Sequence, residues 1–163
     1  MSTTINIPVV NESSNELPMY AHKSDAGFDL RANIDEITSD KFLFNSEKIE
    51  DSVIINVGGR ALIPTGLYMA IPEGYELQVR PRSGLALKYG ISVLNTPGTI
   101  DSGYIGNIGV ILINHGDKPF AIYQGDRIAQ AVLNQIVQAT FTEVNNLEDT
   151  DRGEGGFNST GVK

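Results

Sequence analysis

Ala61-Leu62-Ile63-Pro64-Thr65-Gly66-Leu67-Tyr68-Met69-Ala70-Ile71-Pro72-Glu73-Gly74-Tyr75-Glu76-Leu77-Gln78-Val79 decides the fold class of this chain. Three short apolar runs are separated by Pro64-Thr65-Gly66 and Pro72-Glu73-Gly74, both of turn composition. Runs this short, broken by Pro and Gly, read as strands. The pattern continues outward: Ile5 to Val10 alternates loosely, Ile108 to Ile113 is apolar and closed by Asn114-His115-Gly116-Asp117, and Lys118 to Tyr123 and Ile128 to Val137 follow. Regular short strands predict an all-β sandwich or barrel. The best helix is Ser83 to Lys88, started by a Ser of capping type and ended before Gly90.

The bulk properties bound the function. A chain of 163 residues holds one domain with a core of its own. No stretch approaches the roughly 18 apolar residues of a membrane span, and Met1-Ser2-Thr3-Thr4 offers neither a basic nor an apolar signal region. With no cysteine there is no disulfide or thiolate site, which fits a reducing, cytoplasmic compartment, or a host cell interior were the source viral. His22 and His115, far apart in sequence, read as surface or loop residues. A net charge of −8 argues against nucleic acid as a partner. A small anion stays possible, because salt screens distant carboxylates beyond about 8 Å and a few local arginines then dominate.

Two segments stand apart. Asn33 to Asn56 is polar and acidic around Phe42-Leu43-Phe44 and is expected as a surface insertion, with a hairpin as its candidate form. Residues 1–144 are expected to form the β domain and 145–163 a flexible arm, since Arg152 to Gly161 has four glycines in ten residues. A frayed terminus is the plain alternative.

Four further segments hold polar groups that strand packing does not require: Asp25-Ala-Gly-Phe-Asp-Leu-Arg-Ala32, Arg80-Pro-Arg-Ser-Gly-Leu-Ala86, Asn95-Thr-Pro-Gly-Thr-Ile-Asp-Ser-Gly-Tyr-Ile-Gly106 and Gly125-Asp-Arg-Ile-Ala-Gln130. Taken singly, each has an ordinary reading. Asp101 can make a turn before Ser102-Gly103, Asn95 a turn before Pro97, and Tyr104 can sit half-buried in a hairpin. Gln130 can face solvent from a strand, and Asp29 can serve the fold by pairing with backbone or an Arg.

With the glycine-rich tail, and in this order, the segments resemble the five motifs of the trimeric dUTPase family over nearly the whole chain, from about Asp25 to Gly161. The resemblance implies a jelly-roll-like β-barrel (a β-clip) with one short helix, assembled as a homotrimer whose three active sites are each shared by three subunits. It implies Mg2+-dependent hydrolysis of dUTP to dUMP and pyrophosphate, which limits uracil in DNA and supplies dUMP for thymidylate synthesis.

The family roles fall on particular residues. Asp101 resembles the carboxylate that activates water for attack on the α-phosphorus. Tyr104 resembles the ring that packs on the deoxyribose and excludes a 2′-hydroxyl. Asn95 matches an amide used for uracil, with the Gly98, Thr99 and Ile100 main chain of the same hairpin sharing the base and sugar. Arg82, Ser83, Gly84 and Gln130 match phosphate contacts, helped by free N–H groups at a helix start. Asp29 resembles the carboxylate that orients the magnesium hydration shell through water, so no all-protein metal cage is expected. In the tail, Phe157 matches the aromatic that stacks on uracil, and Arg152, Ser159 and Thr160 match γ-phosphate contacts. Asn158 departs from the usual Gly there. The dCTP deaminase branch of the same fold places a catalytic Glu in the strand after the third motif; Ile111 stands there, which opposes deamination. A catalytically silent binding protein, with the insertion as its interaction surface, and a purely structural trimer are the readings from other classes.

Overall fold

The computed structural model describes residues 4–151 and Gly153. The expectations for Arg152, Phe157, Asn158, Ser159 and Thr160, and for most of the proposed arm, lie outside the described residues. Eleven strands and one α-helix are present among the described residues: β1 (Val9–Asn11), β2 (Phe28–Arg31), β3 (Leu43–Ile49), β4 (Ser52–Pro64), β5 (Leu67–Met69), β6 (Tyr75–Arg80), α1 (Ser83–Tyr89), β7 (Ile91–Val93), β8 (Gly98–Asp101), β9 (Gly109–Asn114), β10 (Phe120–Tyr123) and β11 (Arg127–Gln135). The all-β class with one short helix is as the sequence predicts.

Two sheets enclose the core. One runs β10-β4-β9-β7, with β3 also paired to β4; the other runs β2-β11-β6-β8; β1 and β5 form a small third pair. Period-2 alternation carries the burial. In β9, Val110 and Leu112 point inward; in β6, Leu77 and Val79 do the same, against Val53, Ile55 and Ile63 of β4. Full burial of a side chain of this size contributes about 1.5–3 kcal/mol. The turn at Pro72-Glu73-Gly74 closes with Tyr75 N–H donating to the Pro72 carbonyl, and Gly74 takes the left-handed φ of 83° that such a turn needs at its third residue.

The 33–56 segment is corrected in part. It does contain a hairpin, β3 to β4, but it is not all surface: Asn33, Ile34, Val53 and Ile55 are buried. β4 begins at Ser52, well before the Ala61 expected from sequence. A bulge hid the strand. Phe44 pairs with Arg60 whereas Ser46 pairs with Ile55, so the Asn56–Gly59 stretch bows out opposite Asn45, whose side chain donates to the Val57 carbonyl. Ser83 is also corrected. It is the first helical residue rather than the cap; Arg82 occupies the cap position and no side-chain cap bond forms. Both histidines are exposed, in turns or loops.

One polar side chain is wholly buried in the core sheet. Asn114 donates to the carbonyls of Ile55 (2.9 Å) and Lys118 (2.8 Å) and accepts from Gly116 N–H (2.8 Å), locking the end of β9 to β4 and to the following turn. Leaving a buried polar group unsatisfied costs about 1–3 kcal/mol. Asn114→Leu is therefore expected to lower the unfolding free energy by about 3 kcal/mol or more, read from urea titration; a variant as stable as the parent would show that water replaces the amide.

Candidate active site

The outer face of the β2-β11-β6-β8 sheet carries Asp29, Thr99, Asp101 and Gln130 of the polar residues singled out in the sequence. Register places them. Gln130 stands opposite Asp29 on one side and Arg80 on the other, and Glu76 stands opposite Asp101. Residues directly opposite in antiparallel strands share a face, so Asp29, Gln130, Arg80, Gln78, Glu76, Thr99 and Asp101 all project away from the core.

At one end of this face Asp29 is clamped by two arginines. Its Oδ1 lies 2.9 Å from Arg82 Nε and its Oδ2 3.2 Å from an Arg127 terminal nitrogen. Arg82 also donates to the Arg127 carbonyl at 2.8 Å, and Gln130 Nε2 donates to the Pro81 carbonyl at 2.8 Å. Gln130 is thus half-buried and fixed rather than a free solvent-facing amide. Arg31 reaches the Gly125 carbonyl at 2.8 Å, and Arg80 holds Gln78 through two bonds. Arg82 and Arg127 pair with Asp29, and Arg31 and Arg80 line the clefts beside it, so four of the chain's six arginines lie in this region of a protein of net charge −8. Clefts of about 190 and 340 Å³ flank Asp29, the first reaching Arg31 and Arg127, the second Arg80 and Gln130. Ser83 and Gly84 are exposed at the start of α1, adjacent to this cluster in sequence.

At the other end lies the β8 hairpin. β8 is the edge strand of its sheet, paired with β6 alone, so the backbone groups on its free side have no strand partner. Gly98 packs under Asn95: a Cβ there would lie 3.2 Å from Asn95 Nδ2. Ile100 packs against the core, while Thr99 and Asp101 are exposed. The main chain turns after Asp101, with Tyr104 N–H donating to the Asp101 carbonyl at 3.0 Å. The Tyr104 ring is 44% exposed and anchored by its hydroxyl, which donates to the Asn107 carbonyl at 2.8 Å.

One chain does not unite the two ends. Asp101 faces residue 76 of β6 and Asp29 lies level with residue 80. Four residues along the strand and three strand spacings across separate them by roughly 20 Å. Adjacent phosphorus atoms of a single nucleotide cannot touch both.

Some groups belong to turns. Asp126 accepts from Tyr123 N–H (2.9 Å) and Asp25 from His22 N–H (2.8 Å). Near Glu36 and Asn107, the Glu12 carboxylate and then burial push the Tyr68 phenol above its ordinary value, with Glu36 adding in the same direction and Asn107 opposing it. Among the described residues no group of three or more His, Cys, Asp or Glu side chains is placed to hold a metal, and no helix is long and apolar enough to cross a membrane. Sequence reasoning missed Arg127, Arg80 and Arg31 as site residues. The signal was present, since each lies inside a segment already singled out, two or three positions from an assigned residue.

The comparisons with known proteins identify the family. The family model described as dUTPase matches residues 48–161. The deoxyuridine 5'-triphosphate nucleotidohydrolase of Clostridium tetani is 50% identical over 158 residues, 97% of this chain and 97% of that protein. The protein of the same name from Chlamydia pneumoniae is 55% identical over 152 residues, 93% and 94% of the two chains. Among solved structures, the Staphylococcus bacteriophage 80alpha dUTPase with dUPNHPP superposes with a TM-score of 0.80 at 26% identity, covering 98% of this chain and all of that one (100%). An all-β scaffold with these motifs defines the class as a nucleotide hydrolase. The chain belongs to the dUTPase family.

The ion pairs of Asp29 lie at the surface, with 32% exposure for Asp29 and 52% for Arg127. Such pairs are worth about 0–1 kcal/mol each, so the cluster is not explained by stability. Asp29→Asn, which weakens both pairs, is expected to lower the unfolding free energy by at most about 2 kcal/mol in urea titration. A loss of several kcal/mol would assign the cluster to the fold instead of a ligand.

Proposed function

We propose that the chain hydrolyses dUTP to dUMP and pyrophosphate, as a homotrimer in which each site draws on more than one subunit. The observation that carries the shared site is the separation of Asp101 from the Asp29–Arg82–Arg127 cluster on one sheet face. Both groups face outward, yet they lie too far apart to serve one triphosphate within a subunit. A second copy, rotated about a three-fold axis, brings one subunit's cluster to another's hairpin. Asn134 adds support: among the described residues its buried Nδ2 has no acceptor, on the same face and opposite Glu76. Buried amides are ordinarily satisfied, and a neighbouring subunit would supply the missing partner.

In this reading uracil docks beside the open edge of β8. Its polar edge meets main-chain groups of residues 98–100 and the Asn95 amide, which offers both a donor and an acceptor. Asp101 takes a proton from the attacking water. The water oxygen bonds to the α-phosphorus, the bond from that phosphorus to the bridging oxygen breaks, and pyrophosphate leaves. Tyr104 forms the wall beside the sugar. Arg82 and Gln130, with Ser83 and Gly84 beside them, receive the phosphates, and Arg127 joins them. The fork geometry of Arg suits phosphate oxygens. Arg152, Ser159 and Thr160 of the tail are proposed to reach the γ-phosphate and Phe157 the uracil face, which would shut out bulk solvent other than the attacking water.

Magnesium fits as an ion held chiefly by the substrate. Asp29 is a single carboxylate already gripped by two arginines, so it suits contact through the ion's water shell rather than a direct cage. When bound, the ion would offset phosphate charge and orient the phosphate chain.

Asp101→Asn is expected to lower kcat by about 10²–10⁴-fold with nucleotide affinity retained, measured by pyrophosphate release and by equilibrium binding; unchanged turnover would remove Asp101 as the base. Site sharing is tested by mixing subunits. Trimers reassembled from equal amounts of Asp101→Asn and Arg82→Ala chains should regain activity in about a quarter of sites, those pairing an intact Asp101 with an intact Arg82 from different subunits. If the mixed trimers stay as inactive as their parents, the shared site is wrong.

A further inference from the structure

We infer that Glu36, at the head of the 33–56 segment, is a positioning residue for the Tyr104 ring and so sets how strongly the site rejects a ribose. The inference rests on the proposed role of Tyr104 as the sugar wall.

Tyr104 is exposed, and an exposed ring on a hairpin makes a poor steric wall unless something holds it. Two features hold it here. First, the hydroxyl end of the ring packs closely on Gly106: a Cβ at that position would come within 2.6 Å of the Tyr104 oxygen and 2.7 Å of Cζ. The missing side chain lets the ring seat directly on the backbone. Second, the Tyr104 hydroxyl donates to the Asn107 carbonyl at 2.8 Å. A wall anchored on a carbonyl is only as fixed as the residue that owns it.

Asn107 is fixed by its side chain. Its Oδ1 accepts from Gly66 N–H at 3.2 Å, and its Nδ2 lies 2.8 Å from each oxygen of the Glu36 carboxylate. Glu36 is itself tied down. Asn33 Nδ2 donates to its Oε2 at 3.1 Å, and Asn33 is buried, with its N–H on the Pro64 carbonyl (2.8 Å) and its Oδ1 accepting from Gln124. Ile34, in the short 3-10 turn that carries Glu36, is a core residue. The chain of contacts therefore runs from the core, through Glu36 and Asn107, to the tip of the Tyr104 ring. A hydrogen bond to a charged acceptor is stronger than a neutral one, so the carboxylate is the strong link.

A loosened ring should admit a 2′-hydroxyl without altering the groups that read the base. The test compares kcat/KM for dUTP, UTP and dCTP in the full-length protein. Glu36→Ala is expected to lower the dUTP-over-UTP preference about fivefold or more, the population change matching loss of one such hydrogen bond, with the dUTP-over-dCTP preference unchanged. Glu36→Gln keeps an acceptor for Asn107 and should retain most of the preference. The pair Glu36→Gln with Asn107→Asp reverses donor and acceptor and should restore what Asn107→Asp alone loses. Unchanged sugar preference in Glu36→Ala, or an equal fall in both preferences, would overturn the inference. Tyr104→Ala distinguishes the two failures: if it too leaves the UTP preference unaltered, the sugar-wall reading is what fails.

Discussion

The register of β8 on β6 governs the chemistry available to this protein. Leu77 opposite Ile100 and Val79 opposite Gly98 turn one set of side chains into the core. The alternate set, Thr99 and Asp101, must then face outward. A slip of one residue would bury Asp101 and expose Ile100, so apolar packing at Leu77 and Ile100 fixes where the carboxylate points. The same pairing leaves the far edge of β8 bare. An unpaired edge is ordinarily a hazard; here it is four residues long and lies where the proposed base-binding hairpin needs main-chain donors and acceptors.

Electrostatics is arranged locally and not by net charge. The chain is strongly acidic, yet two arginines pair with Asp29 and two more line the clefts beside it. With screening over about 8 Å in physiological salt, that cluster, rather than the distant carboxylates, sets the field felt by an anion beside it. Asp29 is best understood as an organiser of Arg82 and Arg127. The structure bears out the ordinary reading of this Asp as a partner of nearby arginines; its contact with a magnesium water shell belongs to the proposal.

The 33–56 segment joins core, surface and site. Its ends are buried, its middle is a bulged hairpin, and Glu36 reaches the residue that anchors Tyr104. A polar, acidic composition suggested surface because polar positions outnumber apolar ones. Burial depends on which positions are apolar, and Ile34, Val53 and Ile55 are the ones that count.

Composition and punctuation alone determined that this chain is built from short strands. Pro and Gly restrict or free backbone angles through purely local sterics, and alternation is local too. The helix at Ser83–Tyr89 and the outward face of Asp101 are readable for the same reason once a strand is recognised. The five ordered segments gave the family because they span the whole chain. Tertiary structure decided what depends on residues distant in sequence. The β4 strand across Gly58-Gly59 is invisible locally, because a bulge interrupts the alternation and only pairing with β9 and β10 restores it. Arg127 meets Asp29 across nearly a hundred positions, and Glu36 meets Asn107 across seventy-one. The distance between Asp101 and the arginine cluster follows from strand order and register, which no local pattern encodes, and it is this distance that makes a neighbouring subunit necessary in the proposed mechanism.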